Sequence, residues 1–167
     1  MSTFPYRRVL VIGSPGSGKS TFARALHRLT HLPLVHLDML YWKADKTTLS
    51  REEFGIALEK ELSRDSWIID GNYSFTMERR LQRADVAFFF DLPVEKCLDG
   101  IEKRQNQPRL DMPWIETDED PEFMDFVREF PTQRKPKILQ LLAKYPHVPV
   151  VIFHSHEEAD AYLKMTK

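Results

Sequence analysis

The sequence predicts an α/β fold, an open five-stranded parallel sheet with helices on both faces. Three observations carry this. Five apolar runs are continuous and not alternating, as strands covered on both faces require. Helical patterns separate most of them, and each run ends in polar residues, the arrangement of a sheet whose ligands bind outside the carboxyl ends of its strands. After the first run stand Gly13-Ser14-Pro15-Gly16-Ser17-Gly18-Lys19-Ser20, which fit G-x-x-x-x-G-K-[ST], a phosphate-cradling loop between a strand and a helix.

The elements follow in order. Residues 8–12 form the first strand, and after the loop Phe22, Ala25, Leu26 and Leu29 recur at helical spacing. Residues 32–37 form a second strand leading to Asp38. Ser50 with Glu53 makes a capping box ahead of Phe54, Ala57, Leu58 and Leu62. Residues 67–69 lead to Asp70, and Ser74 is a candidate cap for a helix over 75–83. Residues 86–90 lead to Asp91, and Pro93 suits the first turn of a helix over 93–104. The stretch 105–136 breaks the rhythm: it is polar and proline-interrupted, then strongly acidic over 116–122, with a helical pattern only over 123–130. It reads as a mobile insertion, because sheet-forming sequence resumes after it. Pro136 opens a helix carrying Ile138, Leu139, Leu141 and Leu142; a strand over 148–153 and a helix over 157–165 complete the set.

At 167 residues the chain fits one domain with a real core. Its 24 Lys and Arg nearly cancel its 25 Asp and Glu, and there is no basic stripe, so direct nucleic-acid binding is not expected. Without a signal-type apolar region or a membrane-length span, a soluble cytoplasmic protein is expected. The single cysteine, Cys97, excludes an internal disulfide and reads as a small core residue.

Chemistry is expected around the loop. Gly13, Gly16 and Gly18 allow several N–H groups to face one concavity, and the following helix adds the positive end of its dipole. A polyphosphate is the natural occupant, with Lys19 on its β- and γ-phosphates, Ser20 on a bridging Mg²⁺ and Thr21 extending toward the α-phosphate. Asp70, directly after a buried strand and before Gly71-Asn72-Tyr73, suits the carboxylate that accompanies Mg²⁺. Asp91 shows the same pattern but runs into Leu92-Pro93 and more simply ends a strand. Asp38 is placed to orient an acceptor hydroxyl and take its proton, to assist the metal, or to cap the turn that follows. His36, two residues earlier on the same strand face, is a hydrogen-bonded strand histidine or a helper at the site. Phosphoryl transfer also needs arginines. Arg104 and Arg134 lead the candidates, followed by Arg80 and Arg109, with Arg79, Arg83 and Arg128 further off; those bracketing the insertion suggest a lid, and Arg104 also suits contact with adenine. Tyr41, Trp42 and Tyr73 line the acceptor side or serve as packing anchors.

Gly13 to Ser20, His36-Leu37-Asp38 with Tyr41-Trp42-Lys43, Trp67-Ile68-Ile69-Asp70-Gly71-Asn72-Tyr73, Arg80 to Asp85, and Asp91-Leu92-Pro93 with Cys97-Leu98 together resemble the adenylate-kinase-related P-loop proteins called DNA topology modulation proteins (FlaR-related). The resemblance spans nearly the whole chain. It implies the P-loop NTPase three-layer sandwich with sheet order 2-3-1-4-5, an acceptor-binding segment at about 39–65 and a short lid at about 105–136. The insertion lacks the long domain and cysteine cluster of larger adenylate kinases, and Asn72-Tyr73-Ser74 replaces their Phe-Pro-Arg. A shikimate-kinase pattern would want Asp at position 36 and a glycine triplet at 70–72. The expected function is an ATP- and Mg²⁺-dependent kinase acting on a nucleotide or another small acceptor. The alternative is an ATP-binding regulatory protein acting indirectly on DNA topology. A GTP switch is disfavoured, because no [NT]-K-x-D base-reading motif follows the core strands.

Overall fold

The computed structural model describes residues 4–116 and 120–166; positions 117–119 of the expected insertion lie outside the described residues. Five parallel strands, β1 (Arg8–Gly13), β2 (Leu34–His36), β3 (Trp67–Asp70), β4 (Val86–Phe90) and β5 (Val150–Phe153), form one sheet in the order β2-β3-β1-β4-β5. The helices are α1 (Lys19–Thr30), α2 (Leu37–Tyr41), α3 (Arg51–Leu62), α4 (Ser74–Leu81), α5 (Val94–Arg104), α6 (Pro121–Gln133), α7 (Lys135–Lys144) and α8 (His156–Met165).

The continuous apolar runs are explained by the two cores they serve. Successive side chains of a strand point to opposite faces. Leu10, Ile12, Ile69, Ala87 and Phe89 therefore enter one core with Phe54, Leu58, Met77, Ile138 and Leu142 from α3, α4 and α7. Val9, Val11, Ile68, Val86, Phe88 and Phe90 enter the other with Phe22, Leu26, Cys97, Ile101 and Val127 from α1, α5 and α6. Every residue of β3 and β4 is buried, whereas β2 at the sheet edge is only half-buried.

The capping box forms as expected, the Ser50 hydroxyl accepting from the Glu53 N–H at 3.1 Å and the Glu53 carboxylate from the Ser50 N–H at 3.1 Å. Elsewhere the expectations shift. The second strand is shorter, so Asp38 lies in the first turn of α2 and not at a strand end. Ser74 does not cap α4; the N-cap is Tyr73, in a left-handed conformation with φ 34° and no side-chain cap. The second half of the expected insertion is well-formed helix, with Asp120 accepting from the N–H groups of Glu122 and Phe123 at 3.0 and 3.2 Å. The helical pattern read over 123–130 extends to Gln133, since α6 tolerates Pro131 and buries Met124, Val127 and Phe130. Among the described residues, no helix is long and apolar enough to cross a membrane.

Candidate active site

The phosphate loop leaves the carboxyl end of β1 and is packed directly onto α5. A Cβ on Gly16 would lie 2.2 Å from the Cys97 carbonyl oxygen, and one on Gly100 would lie 2.1 Å from the Gly16 carbonyl oxygen. Gly16 also has φ 78°, so glycine is required there both by conformation and by contact. Gly18, at φ 92°, turns the chain into α1 and leaves the first N–H groups of that helix facing the concavity. Asn72 holds the other end: its side-chain amide accepts the Gly13 N–H at 3.0 Å and donates to the Gly13 carbonyl at 2.7 Å. Ser14 and Ser17 are buried within the loop.

The sheet register brings the acidic and basic groups together. Val11 of β1 and His36 of β2 both lie level with Asp70 of β3, at the carboxyl ends of adjacent strands. Asp70 is 4% exposed. Its Oδ2 accepts from the Ser20 hydroxyl at 2.7 Å and lies 2.6 Å from His36 Nδ1. Asp38 approaches from α2 and accepts from the Tyr73 hydroxyl at 2.5 Å. Burial pushes the Asp38 carboxyl above its ordinary value, with the Tyr73 hydrogen bond and Lys19 opposing. Burial and the neighbouring Asp38 carboxylate push the Tyr73 phenol up, which keeps it a donor. Burial also lowers Lys19, against the attraction of Asp70 and Asp38.

Residues after α5 close over this cluster. Arg109 grips Asp111 with two bonds, Nε to Oδ1 at 3.1 Å and Nη2 to Oδ2 at 2.7 Å, and reaches Glu116 through Nη1 at 2.9 Å. The Asn106 N–H also donates to the Glu116 carbonyl at 2.6 Å, so the segment is fastened to itself. Burial opposes ionisation of Asp111, but the Arg109 fork outweighs it and holds the carboxyl well below the usual carboxylate range.

Two cavities result. One, of about 690 Å³, runs from Gly16, Gly18 and Thr21 past Arg24 to Pro108 and α8. The other, of about 520 Å³, runs from Pro15 and Asp38 past Asn72 and Tyr73 to Trp42, Trp114 and α6. Lys19, Ser20, Arg104, Arg109 and Asp111 line both, so the cavities meet at the end of the loop. Arg104 Nε is buried there without a hydrogen-bond partner among the described residues. Burial lowers the Arg104 guanidinium, and neighbouring Arg109 adds to the effect.

Other expected site residues stand elsewhere. Arg80 is fully buried and does not line the acceptor-side cavity. Its guanidinium donates to Thr76 Oγ1 at 3.1 Å, to the Gly71 carbonyl at 3.0 Å and to the Asn72 carbonyl, so it shapes the 71–73 turn from beneath. Loss of these bonds is what Arg80→Met tests. It is expected to cost about 2 kcal/mol by urea unfolding, since partly buried carbonyls would be left unpaired. Tyr41 packs edge-on against Phe54, Trp42 and Tyr73 and is an anchor, not a lining residue. Arg134 is exposed, 5.0 Å from the centre of the Phe126 ring, outside both cavities. Asp91 pairs with Lys135 at 2.6 Å, in keeping with a strand-end role. Asn72 as the loop clamp, Asp111, Trp114 and Arg24 were not among the sequence candidates. Only the close spacing of Arg109 and Asp111 carried a signal for one of them.

No family model matches the chain, and no curated protein matches it. Solved structures do. A shikimate kinase from Acinetobacter baumannii, in complex with shikimate, superposes with a TM-score of 0.62 at 16% identity, over 96% of this chain and 93% of the other. A shikimate kinase from Bacteroides thetaiotaomicron gives 0.59 at 18% identity, over 96% of each chain. The chain has the shikimate-kinase-like P-loop fold. At this level of identity the likeness is one of fold. It does not bear on the narrower resemblance to DNA topology modulation proteins.

Proposed function

We propose that the protein is an ATP-dependent kinase transferring the γ-phosphoryl group to a small hydroxylated acceptor. The observation that carries this is the meeting of two cavities at Lys19, Ser20, Arg104, Arg109 and Asp111, one entered from the phosphate loop and the other from Asp38. A hydrolase needs only water beyond the γ-phosphate, whereas a cavity of about 520 Å³ fits an organic acceptor.

The donor is held by the loop amides, with Thr21 at the mouth of its cavity and Lys19 and Arg104 at the junction, where charge develops on the transferred group. Asp38, half-buried and oriented by Tyr73, receives the proton of the acceptor hydroxyl. The residues present fit Mg²⁺: Ser20 Oγ and the Asp70 carboxylate are oxygen donors of the type that ion takes, set 2.7 Å apart. Mg²⁺, when bound, offsets the charge of the β- and γ-phosphates. His36, on the same Asp70 oxygen, fixes the direction in which that carboxylate faces.

The reading is tested by ADP release from ATP and Mg²⁺ across nucleosides, nucleoside monophosphates and small hydroxylated metabolites, shikimate included. At least one acceptor is expected to raise ADP release well above the basal rate. Thermal protection by ATP with no acceptor-stimulated release would replace the kinase with a nucleotide-binding regulator.

A further inference from the structure

The walls of the acceptor-side cavity bear on what enters it. Trp42 and Trp114 meet edge to face there with ring centres 5.2 Å apart, and Phe123 and Phe126 line the same space. Four aromatic faces in one small cavity suit a flat ring, because each ring buried against them is removed from water and gains stacking geometry.

The charges in this cavity work against an anionic acceptor. Arg109 is occupied by Asp111 and Glu116. Arg80, beneath the 71–73 turn, is spent on the Gly71 and Asn72 carbonyls, and Arg134 lies outside. Lys19 and Arg104 sit at the junction with the donor cavity. The remaining lining cation is Lys46, exposed at the rim with its Nζ 5.9 Å from the centre of the Trp114 ring. Against it stand the carboxylates of Asp38, Asp111, Glu116 and Asp120, only partly offset by Arg109. Among the described residues, Arg104, whose Nε is unpaired, faces the junction where the transferred phosphoryl group lies; away from that junction, a phosphate or carboxylate on the acceptor would find no free guanidinium fork and would face like charge.

Resting on the kinase reading, we infer that the acceptor is an uncharged, ring-bearing alcohol of nucleoside size, its flat ring against Trp42, Trp114, Phe123 and Phe126 and its hydroxyl at Asp38. The transfer forms a P–O bond to that hydroxyl oxygen and breaks the γ-phosphorus bond to the β–γ bridging oxygen. ADP leaves, and the hydroxyl proton passes to Asp38.

The test uses the intact protein with ADP and Mg²⁺ and follows tryptophan fluorescence. Trp42 and Trp114 border the cavity, while Trp67 is fully buried in the sheet. Adenosine, cytidine and thymidine are titrated beside their 5′-monophosphates and shikimate. At least one nucleoside is expected to change the emission and to bind about tenfold or more tightly than its own monophosphate. Trp114→Leu is expected to weaken that nucleoside by about tenfold. A monophosphate or shikimate binding as tightly as every nucleoside, or no response to any nucleoside, overturns the inference. ADP release separates the two readings. Phosphoryl transfer to a monophosphate in preference to its nucleoside would leave the kinase standing and refute the neutral acceptor. Selective nucleoside binding without stimulated ADP release would leave the ring site standing and refute the kinase.

Discussion

Lys19→Ala is expected to lower acceptor-stimulated ADP release by about 10²–10³-fold while leaving the fold intact. Lys19 lies where the two cavities join, and in the proposed kinase that position serves the group in flight and not only the resting nucleotide. Its loss should therefore appear in kcat more than in the affinity for ATP. The structural cost is small for a stated reason. Burial lowers the Lys19 pKa, which means that the folded state disfavours the charged form, and removing a charge held at such a cost does not unfold the protein. The thermal midpoint should be unchanged or raised. Lys19→Arg keeps the charge but replaces a compact ammonium with a planar fork, and is expected to restore little of the rate. Turnover close to wild type in Lys19→Ala, measured with the best acceptor, would show that phosphoryl transfer does not occur at this loop.

The second large effect is expected at Asp38, with a signature in pH. Asp38→Asn keeps the shape and the contact with Tyr73 but cannot take a proton, and kcat should fall by about 10²–10⁴-fold. In the wild-type protein the carboxylate must be ionised to act. Burial raises its pKa, so activity is lost as pH falls through a value above the ordinary carboxylate range near 4. The Tyr73 hydrogen bond favours the ionised form and holds that pKa down. Tyr73→Phe should therefore move the acid limb of the kcat profile to higher pH, in the direction opposite to a simple loss of charge. An unchanged acid limb in both Asp38→Asn and Tyr73→Phe would exclude Asp38 as the proton acceptor.

These effects depend on residues that differ in how plainly the sequence announces them. The loop from Gly13 to Ser20 is a local object: its glycines, its lysine and the helix behind it are contiguous, and every part of the phosphate cradle is within one short stretch. Asp70 is nearly as plain, because a carboxylate after a buried strand is brought beside the loop by the register of β1 and β3. Asp38 was legible as a polar residue after β2, but its partner Tyr73 lies 35 positions away and was readable only as an aromatic in a loop. Asn72 was seen as a turn residue, yet its two bonds to Gly13 span 59 positions.

The arginines show the limit most clearly. Arg80, Arg104, Arg109 and Arg134 carry the same charge and stand near the same segments, and no local pattern separates them. Packing does. Arg80 points inward to carbonyls of its own turn, Arg109 is absorbed by Asp111 and Glu116, Arg134 stays outside against Phe126, and Arg104 alone of these reaches the junction with a donor unpaired. The sequence by itself determined the α/β class, the five strands and the phosphate cradle, because apolar periodicity and a contiguous glycine-rich loop are properties of neighbours along the chain. Only the tertiary structure decided which cations are free and that aromatics from α6 and the segments at Trp42 and Trp114 share one cavity. A guanidinium is free or spent according to carboxylates and carbonyls that the fold, and not the chain, brings within hydrogen-bond reach.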